Sequence, residues 1–418
     1  MKKIKVVFVT HRLVCGGAEQ ALFDLICLLD KEKFDVVLFE QRDDGPWDQK
    51  FRDAGINLVY DYFCRKPTLN PITKAGNVAK KLRMDNAYRH GGEGLLDVCV
   101  PGADIVVSYS VWENERLIFA KGAKTVKYIH GDVATNRIYR EESLCTKDML
   151  AHYDRIVCVS EAARRSFCAL TGLKDNVEMH LNPLNSDNVR AMAEKKVDLP
   201  TDLPVICAVG RLSAEKGFER LVYIHRRLLD QGIRHRLVIV GDGMDRGYIE
   251  RTIQATDTRD TVILAGYQAN PYPYMKQSKF LVNSSFTEGL PVIAMEALCL
   301  GVPIVAPVPS VGEVFGGETC GLITENDNAS LEAGIRKMLT DEEFYRQAKA
   351  GAEKRSAFFD GKHGERGRGH VPRPCRKRVR KTGGNANAAN QCDRPGLPGG
   401  KVFTPLRGQR PWADIPGF

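Results

Sequence analysis

The chain has 418 residues, of which 43% are hydrophobic, and a formal net charge of +9. This length exceeds the size at which one core keeps growing, so two domains of roughly 180 residues each are expected. Residues 361–418 hold 13 lysines and arginines against 3 acidic residues, which leaves residues 1–360 with a net charge of −1 and excludes nucleic-acid binding by bulk charge.

The cysteines and the first residues indicate a cytoplasmic protein. The 12 cysteines include no C-x-x-C pair and no other metal-ligand spacing, which favours reduced thiols. The opening segment MKKIKVVFVTHRLVC has too short an apolar run for a leader and predicts a first strand. No stretch approaches the roughly 18 apolar residues that a membrane span needs.

The first half alternates between strand and helix patterns, which predicts a parallel sheet covered by helices. A helix is expected over Ala18–Leu29, where apolar residues recur at helical spacing. The basic, irregular stretch from Arg65 to Arg89 predicts either a solvated surface helix or a patch that faces a membrane. The predicted strands are Ile4–Thr10, Asp35–Phe39, Ile56–Val59, Asp104–Ser108, Thr125–His130 and Arg155–Val159.

The pattern loosens from Leu181 to Pro204 and then restarts, which predicts a domain boundary there. The expected domains are residues 1–185 and 186–360, followed by a tail at 361–418. The predicted strands of the second domain are Val205–Val209, Arg236–Val240, Thr261–Leu264, Phe280–Asn283 and Pro303–Val305.

Glycines and cations follow two strands, at the edge where open α/β sheets bind ligands. Gly16 and Gly17 follow the first strand in CGGAEQ and let the backbone approach a ligand before a helix. The segment AVGRLSAEKGF places Gly210, Arg211 and Lys216 after the first strand of the second domain. Two cations at this place can offset the negative charge of a diphosphate leaving group. The alternative is that they are an ordinary solvated pair without a binding role.

The segment SSFTEGLPVIAMEAL places Glu288 and Glu296 eight positions apart around the start of a helix. Backbone N–H groups near Gly289 and Leu290 can hold phosphate oxygens, while Glu296 can bind ribose hydroxyls. A solvated carboxylate pair is the alternative, but the segment is too apolar for it. In VKYIHGD, His130 ends a strand; a lone histidine there is more often structural, and the neighbouring sites favour a functional role.

Over residues 4–358, these motifs resemble retaining glycosyltransferases of family 4, which have the GT-B fold. The most specific element is the family's pair of glutamates separated by seven residues, matched by Glu288 and Glu296 in FTEGLPVIAMEAL. GRLSAEKG matches the donor-diphosphate loop, GGAE the glycine loop of the first domain, and IHGD the position of the active-site histidine. The resemblance implies an α/β protein with two Rossmann-like domains that face each other across a cleft.

The resemblance also assigns roles to residues. Arg211 and Lys216 would bind the donor diphosphate, and Glu296 the ribose. Glu288 would contact the hydroxyls of the donor sugar, and His130 would contact the sugar from the opposite domain. The role assigned to Gly17 is to face the phosphate or the acceptor, and the loop from Gly266, which includes Tyr267, would bracket the base.

The implied reaction retains the anomeric configuration by attack on the same face of the sugar, through an oxocarbenium-like transition state. Catalysis would then rest on stabilising the leaving group and on positioning. No cofactor and no metal are expected, because Arg211 and Lys216 would take the place of a cation. The expected donor is a UDP-sugar, and the acceptor a glycan or lipid-linked sugar of bacterial surface polysaccharide synthesis, reached by peripheral contact with the inner face of the membrane.

The composition changes abruptly near Lys362, inside an expected helix. Residues 361–418 contain 11 glycines and 7 prolines without periodicity, which predicts a disordered tail. Read one nucleotide later with permissive codon choices, this stretch can encode an amphipathic helix and then a segment that resembles the opening of a family 2 glycosyltransferase. The sequence therefore predicts that a frameshift produced a non-native tail.

Three other functions compete with this interpretation. A sugar-nucleotide 2-epimerase shares the architecture, but the loop and glutamate spacing argue against it. A dehydrogenase would need a G-x-G-x-x-G motif after the first strand, which the sequence lacks. A non-catalytic protein that binds RNA or membranes through the basic tail would show salt-sensitive binding that removal of residues 361–418 abolishes.

Overall fold

A computed structural model describes residues 2–61, 71–89, 95–110, 120, 122–145 and 147–359. Residues 65–70 of the basic stretch and the predicted disordered, frameshifted tail at 361–418 lie outside this range. The prediction for the tail therefore stays a prediction, whereas residues 71–89 of the basic stretch form a helix, as the first of its two alternatives predicts.

The first sheet has seven parallel strands in the order β3-β2-β1-β4-β5-β6-β7. Its strands are β1 Ile4–Thr10, β2 Phe34–Glu40, β3 Asn57–Tyr60, β4 Ile105–Ser110, β5 Lys124–Ile129, β6 Arg155–Cys158 and β7 Val177–Met179. The helices of this half are α1 Gly17–Leu28, α2 Asp48–Asp53, α3 Pro71–Arg89, α4 Leu95–Cys99, α5 Arg137–Cys145, α6 Lys147–Leu150 and α7 Glu161–Thr171.

The second sheet has six parallel strands in the order β10-β9-β8-β11-β12-β13. Its strands are β8 Val205–Val209, β9 Arg236–Val240, β10 Val262–Gly266, β11 Phe280–Val282, β12 Ile304–Ala306 and β13 Gly321–Ile323. The helices are α8 Ser186–Ala193, α9 Phe218–Asp230, α10 Arg246–Ala255, α11 Tyr272–Lys276, α12 Val292–Cys299, α13 Ser310–Phe315, α14 Asn328–Thr340 and α15 Glu342–Ser356, with a final 3-10 turn at Ala357–Phe359.

Each sheet is buried on both faces, because helices cover both sides of a parallel sheet. The strand centres are therefore continuous apolar runs, such as Val6–Val9 in β1 and Leu237–Val240 in β9, and these residues are at most 1% exposed. The α/β class and the two Rossmann-like halves expected from the sequence are confirmed.

One expectation for an individual element was wrong, and two strands were not predicted. The stretch 181–204 is not irregular throughout, because α8 begins after Asn185, whose side chain accepts a hydrogen bond from the N–H of Asn188. The short edge strands β7 and β13 were missed, because three residues are too few to show a strand period.

The two halves meet at the carboxyl ends of their strands. Thr135, beyond β5, shares a hydrogen bond of 2.8 Å with Thr287, beyond β11. Farther along the same edge, the Glu313 carboxylate accepts hydrogen bonds of 2.6 and 3.0 Å from the N–H groups of Glu161 and Ala162, at the start of α7. The cleft between the sheets therefore lies at the edge where both sheets offer strand ends and helix starts.

Candidate active site

The loop between β8 and α9 carries both predicted cations. It makes a 3-10 turn at Ala214–Lys216, and Gly217 follows with a φ of +65°. A Cβ on Gly217 would lie 2.3 Å from the carbonyl oxygen of Ser284 in the next loop. Only glycine combines this left-handed conformation with this close contact, so Gly217 fixes the position of the neighbouring Lys216 backbone.

Lys216 and Glu288 are both predicted site residues. They lie 72 positions apart in the sequence, yet they contact each other directly. Lys216 Nζ lies 2.5 Å from Glu288 Oε1, and the Ser285 hydroxyl donates to the same oxygen at 2.7 Å. They meet because β8 and β11 are neighbouring strands. The pair places a cation and a carboxylate together at the cleft edge of one sheet.

Arg211, the second predicted cation, is exposed and lies 3.3 Å from Glu215. Across the cleft it also acts on Glu19, in the first turn of α1. Burial raises the pKa of Glu19 to about 7, whereas the Glu19 backbone and the charge of Arg211 oppose this shift. Gly210 lies at the end of β8, and its carbonyl oxygen is 1.9 Å from where a Cβ of Gly241 would be.

Gly289 and His130 bring the two halves into direct backbone contact. A Cβ on Gly289 would lie 1.8 Å from the carbonyl oxygen of His130, so no larger residue fits. The Ser160 hydroxyl donates to the Gly289 carbonyl at 3.0 Å, and Leu290 beside it is buried. The predicted histidine and the predicted glutamate loop therefore face each other.

The His130 ring presents an unused acceptor. Its Nε2 is shielded from solvent and has no hydrogen-bond partner. Burial lowers the pKa of His130 to about 4, which a hydrogen bond with the Tyr109 backbone opposes and the charge of Lys127 reinforces. Because Nε2 has no partner, the hydrogen bond with the Tyr109 backbone is assigned to Nδ1. The ring is therefore neutral at pH 7, and Nε2 can accept a hydrogen bond from a hydroxyl group.

Glu296 lies inside α12 and is buried. The Tyr272 hydroxyl donates to Glu296 Oε1 at 2.9 Å, and within the described residues Oε2 makes no hydrogen bond. Burial raises the pKa of Glu296 to about 7; the Tyr272 bond and the Lys50 charge lower it, and the Asp24 charge raises it further. Glu296 does not contact Glu288, so the predicted carboxylate pair occupies two separate places.

The remaining predicted residues lie along the same cleft. Gly16 caps α1, and a Cβ on Gly17 would lie 3.6 Å from Val292, the first residue of α12. Tyr267 is exposed and contacts the thiol of Cys15. The glycine loop of the first half therefore reaches both the glutamate helix and the loop predicted to hold the base.

Sequence reasoning missed several residues that build this site. Ser160 carried a usable signal, because a serine between a strand and an amphipathic segment predicts a helix cap, and its hydroxyl accepts from the Ala163 N–H. Lys50 gave no signal: its ammonium lies 3.7 Å from the Trp47 ring, and the charge of Glu296 acts on it. Arg220 gave none either, because its partners lie 64 to 106 residues away.

None of the helices in the described part of the chain combines the length and apolar character required to span a bilayer.

The profile of the family described as "Glycosyl transferases group 1" matches residues 189–355. A 4-alpha-N-acetylgalactosaminyltransferase of Campylobacter jejuni, named for a diphospho-undecaprenol substrate, is 29% identical over 44% of this chain and 50% of its own length. The chain thus spans half of that relative. An uncharacterized glycosyltransferase of Haemophilus influenzae is 24% identical over 83% of this chain and 93% of its own length.

The fold is also found among solved structures. HepE of Anabaena, in complex with UDP and glucose, superposes with a TM-score of 0.65 at 16% identity over 87% of this chain and 99% of that one. A sucrose-phosphate synthase of Thermosynechococcus elongatus superposes with the same TM-score at 17% identity, over 86% and 96% of the two chains. Residues 189–355 are therefore similar to the glycosyl transferases group 1 family, and the two facing halves of the chain form a GT-B fold.

Proposed function

We propose that the chain transfers a sugar from a UDP-sugar to a glycan or lipid-linked acceptor, with retention of anomeric configuration, in bacterial surface polysaccharide synthesis. The observation that carries the proposal is the Lys216–Glu288 contact at the cleft edge of β8 and β11, opposite the unpartnered His130 Nε2. A sugar diphosphate has the matching groups: anionic oxygens for a cation, and hydroxyls for a carboxylate and an imidazole acceptor.

The names of similar proteins support the choice of substrates. The Campylobacter relative is named for a diphospho-undecaprenol acceptor. Two other relatives are named for lipopolysaccharide core and capsular polysaccharide biosynthesis. HepE was crystallised with UDP-glucose. These names favour a UDP-sugar as the donor and a surface glycan as the product.

In this proposal, Lys216 and Arg211 stabilise the negative charge that grows on the diphosphate as it leaves. Glu288, released from Lys216 when the diphosphate arrives, accepts hydrogen bonds from sugar hydroxyls. His130 Nε2 accepts one more from the opposite half, and Glu296 Oε2 accepts from the ribose. Positioning and charge stabilisation together would supply the rate enhancement.

We also propose that transfer needs no metal ion, because Lys216 and Arg211 supply two positive charges beside the diphosphate site. Addition of EDTA to the full-length protein should leave the transfer rate unchanged. A loss of activity that Mg²⁺ or Mn²⁺ restores would contradict this part of the proposal.

A donor-binding experiment tests the main proposal. The full-length chain is heated with a panel of UDP-, GDP- and ADP-sugars, and the expected result is a rise in melting temperature with UDP-sugars that Glu296→Ala and Lys216→Ala abolish. The matched control is Glu353→Ala, since Glu353 is an exposed glutamate of α15. No shift with any donor, from folded protein, would contradict the proposal. For a donor that binds, the anomeric configuration of the product, measured by NMR, decides between retention and inversion.

The helix α3 supports a peripheral contact with the membrane. Val78 and Leu82 are one helical turn apart and are 52% and 65% exposed, and the adjacent Lys81 and Arg83 are also exposed. Exposed apolar residues next to cations suit the surface of an anionic bilayer.

Vesicle sedimentation tests this contact. The full-length chain should sediment with phosphatidylglycerol vesicles and much less with phosphatidylcholine vesicles, and Leu82→Asp should reduce the bound fraction. Met244→Asp is the control, because Met244 is exposed on the second half. Equal binding of wild type and Leu82→Asp would rule out α3 as the contact.

A further inference from the structure

Arg220 of α9 is a buried cation that is held mainly by hydrogen bonds to neutral groups. The residue is 5% exposed and forms no ion pair with any carboxylate of the described residues. Burial lowers the pKa of Arg220 to about 10, and the charge of Asp327 opposes this shift, so Arg220 stays charged at pH 7. A buried charge is costly unless its donors are bonded, so the location of these bonds indicates why it is retained.

The bonds of Arg220 converge on the backbone that carries Glu288. Its Nε and one terminal nitrogen donate to the Ser284 carbonyl at 2.9 and 2.6 Å, and the same terminal nitrogen donates to the Ser285 carbonyl at 2.9 Å. The other terminal nitrogen donates to Asn326 Oδ1 at 2.9 Å, and Asn326 donates to the Phe286 carbonyl at 2.6 Å. Three successive carbonyls of this loop are therefore held directly or through one amide.

The same loop is bonded to the segment that carries Lys216. The Ser284 hydroxyl donates to the Lys216 carbonyl at 2.8 Å, and the Phe286 N–H donates to the Glu215 carbonyl at 2.8 Å. The guanidinium of Arg220 lies 3.9 Å from the centre of the Phe286 ring, which covers it from solvent. Arg220 thus lies behind both loops, beside the point where Gly217 packs against Ser284.

We propose that Arg220 is a positioning residue that fixes the Lys216 loop and the Glu288 loop relative to each other. This inference rests on the proposed function for its catalytic consequence, but not for its structural one. A planar guanidinium can bond two carbonyls at once, whereas a lysine ammonium is a point charge without that geometry. Loss of the planar group should therefore loosen both loops even where the positive charge is retained.

The first test needs no substrate. Hydrogen–deuterium exchange is measured on the full-length chain as wild type, Arg220→Met, Arg220→Lys and Asn326→Ala. Both Arg220 variants should exchange faster in residues 213–217 and 283–288, with a smaller increase for Asn326→Ala. Arg226→Met, on the same helix, is the control, because Arg226 pairs with Asp230 away from these loops. Exchange at the wild-type rate in both loops of the Arg220 variants would overturn the proposal.

The second test measures transfer with the donor that wild type uses. Arg220→Met and Arg220→Lys should both lower kcat, by about 100-fold for the former, because small displacements of catalytic groups have effects of this order. Full activity of Arg220→Lys would show that charge alone suffices and would overturn the role of the planar group. If wild type uses no nucleotide sugar, the proposed function fails, and the exchange test still decides the structural part. Should Arg220→Met fail to fold, Arg220→Lys and Asn326→Ala provide the same comparison.

Discussion

The two sheet edges that face the cleft differ in how well their polar groups are bonded. In the second half, Lys216 and Ser285 both donate to Glu288, and Arg220 bonds two carbonyls of the same loop. In the first half, several buried side-chain atoms at or near strand ends have no hydrogen-bond partner: Thr10 Oγ1, Glu40 Oε1, Ser108 Oγ, Tyr109 OH and His130 Nε2.

Each buried polar atom without a partner costs about 1–3 kcal/mol of stability. In the second half, Ser310 Oγ and Glu332 Oε2 also lack a hydrogen-bond partner. The loops that carry Lys216 and Glu288 are nonetheless held in a bonded arrangement before a ligand arrives, whereas the first half retains several unpartnered polar groups that lower stability. Buried polar atoms without hydrogen-bond partners are expected at functional sites. Four predictions test whether the second half depends on hydrogen-bonded polar groups and whether the first half contains unbonded ones.

The largest effect is expected at Lys216. Lys216→Ala should reduce transfer by about 100-fold or more, because the lost cation acts on the charge that develops in the transition state. Its melting temperature should change little, since Lys216 pairs with Glu288 at a partly exposed position. The control is Lys276→Ala, which removes an exposed pair with Glu194. Transfer at the wild-type rate would remove Lys216 from the catalytic site.

The second prediction concerns the pH dependence of the first half. Burial and the Asp48 charge raise the pKa of Glu40 to about 8, against 4.5 for an ordinary glutamate. Glu40 is therefore protonated when folded, and its contribution to stability is present below pH 4.5 and lost as the pH rises through 8. The Gln side chain stays neutral, so we expect Glu40→Gln to be more stable than wild type at pH 8.5. Denaturant unfolding should show a difference of about 2 kcal/mol, which is less than the free energy that corresponds to the whole pKa shift of Glu40.

A buried glutamate of the second half provides the control for Glu40. Glu332 Oε1 accepts hydrogen bonds from Arg336 and Gln231, and Oε2, which has no hydrogen bond, lies 2.9 Å from Arg227 Nε in an ion pair. Glu332→Gln should lower stability, because it removes bonds to cations that are already made. If both substitutions destabilise the protein at pH 8.5, Glu40 is a bonded group like Glu332, and the contrast between the halves fails.

The fold could be read from the sequence to a large extent, because parallel strands buried on both faces leave long apolar runs. The runs at Ile4–Thr10 and Val205–Val209 predicted β1 and β8 with the observed bounds. The edge strand β13 could not be found, because Gly321–Ile323 is short and pairs with β12 alone.

The candidate site was predictable where local motifs carry it and not where it depends on distant contacts. The Lys216 and Glu288 segments stand out by their glycines and charges, and β8 and β11 bring them together. Tyr272, which bonds Glu296, and Arg220, which bonds the Glu288 loop, have ordinary local sequences. Their contacts appear only once the sheet order is known, and the roles of the predicted site residues stay predictions.

The third prediction concerns acid unfolding of the second half. His225 Nδ1 lies 2.8 Å from His235 Nε2, and His225 Nε2 lies 2.9 Å from the Thr261 hydroxyl. Burial, then the charge of His235, lowers the pKa of His225 to about 3, and burial also lowers the pKa of His235. Both rings are neutral when folded, so their contribution to stability is present above pH 6.5 and lost as the pH falls towards 3.

Unfolding by denaturant at several pH values, with hydrogen exchange resolved for each half, measures this effect. Wild type should lose about 1–2 kcal/mol between pH 7 and pH 5, mainly in the second half, and His225→Gln should lose less over the same range. His152→Gln is the control, because His152 is exposed. An equal pH dependence of wild type and His225→Gln would assign the acid sensitivity to other groups.

The smallest expected effect compares two buried threonines of the same sheet. Thr10, at the cleft end of β1, is fully buried, and its hydroxyl has no partner. Thr125, at the opposite end of β5, exchanges hydrogen bonds with Asp154 at 3.1 and 3.2 Å. Thr10→Val should raise the free energy of unfolding by about 1 kcal/mol, whereas Thr125→Val should lower it by a similar amount, because the same change of atoms removes an unsatisfied hydroxyl in one case and a bonded one in the other. Destabilisation by both would mean that Thr10 is satisfied in solution, most simply by a bound water, and that the cleft edge of the first half is as well bonded as that of the second.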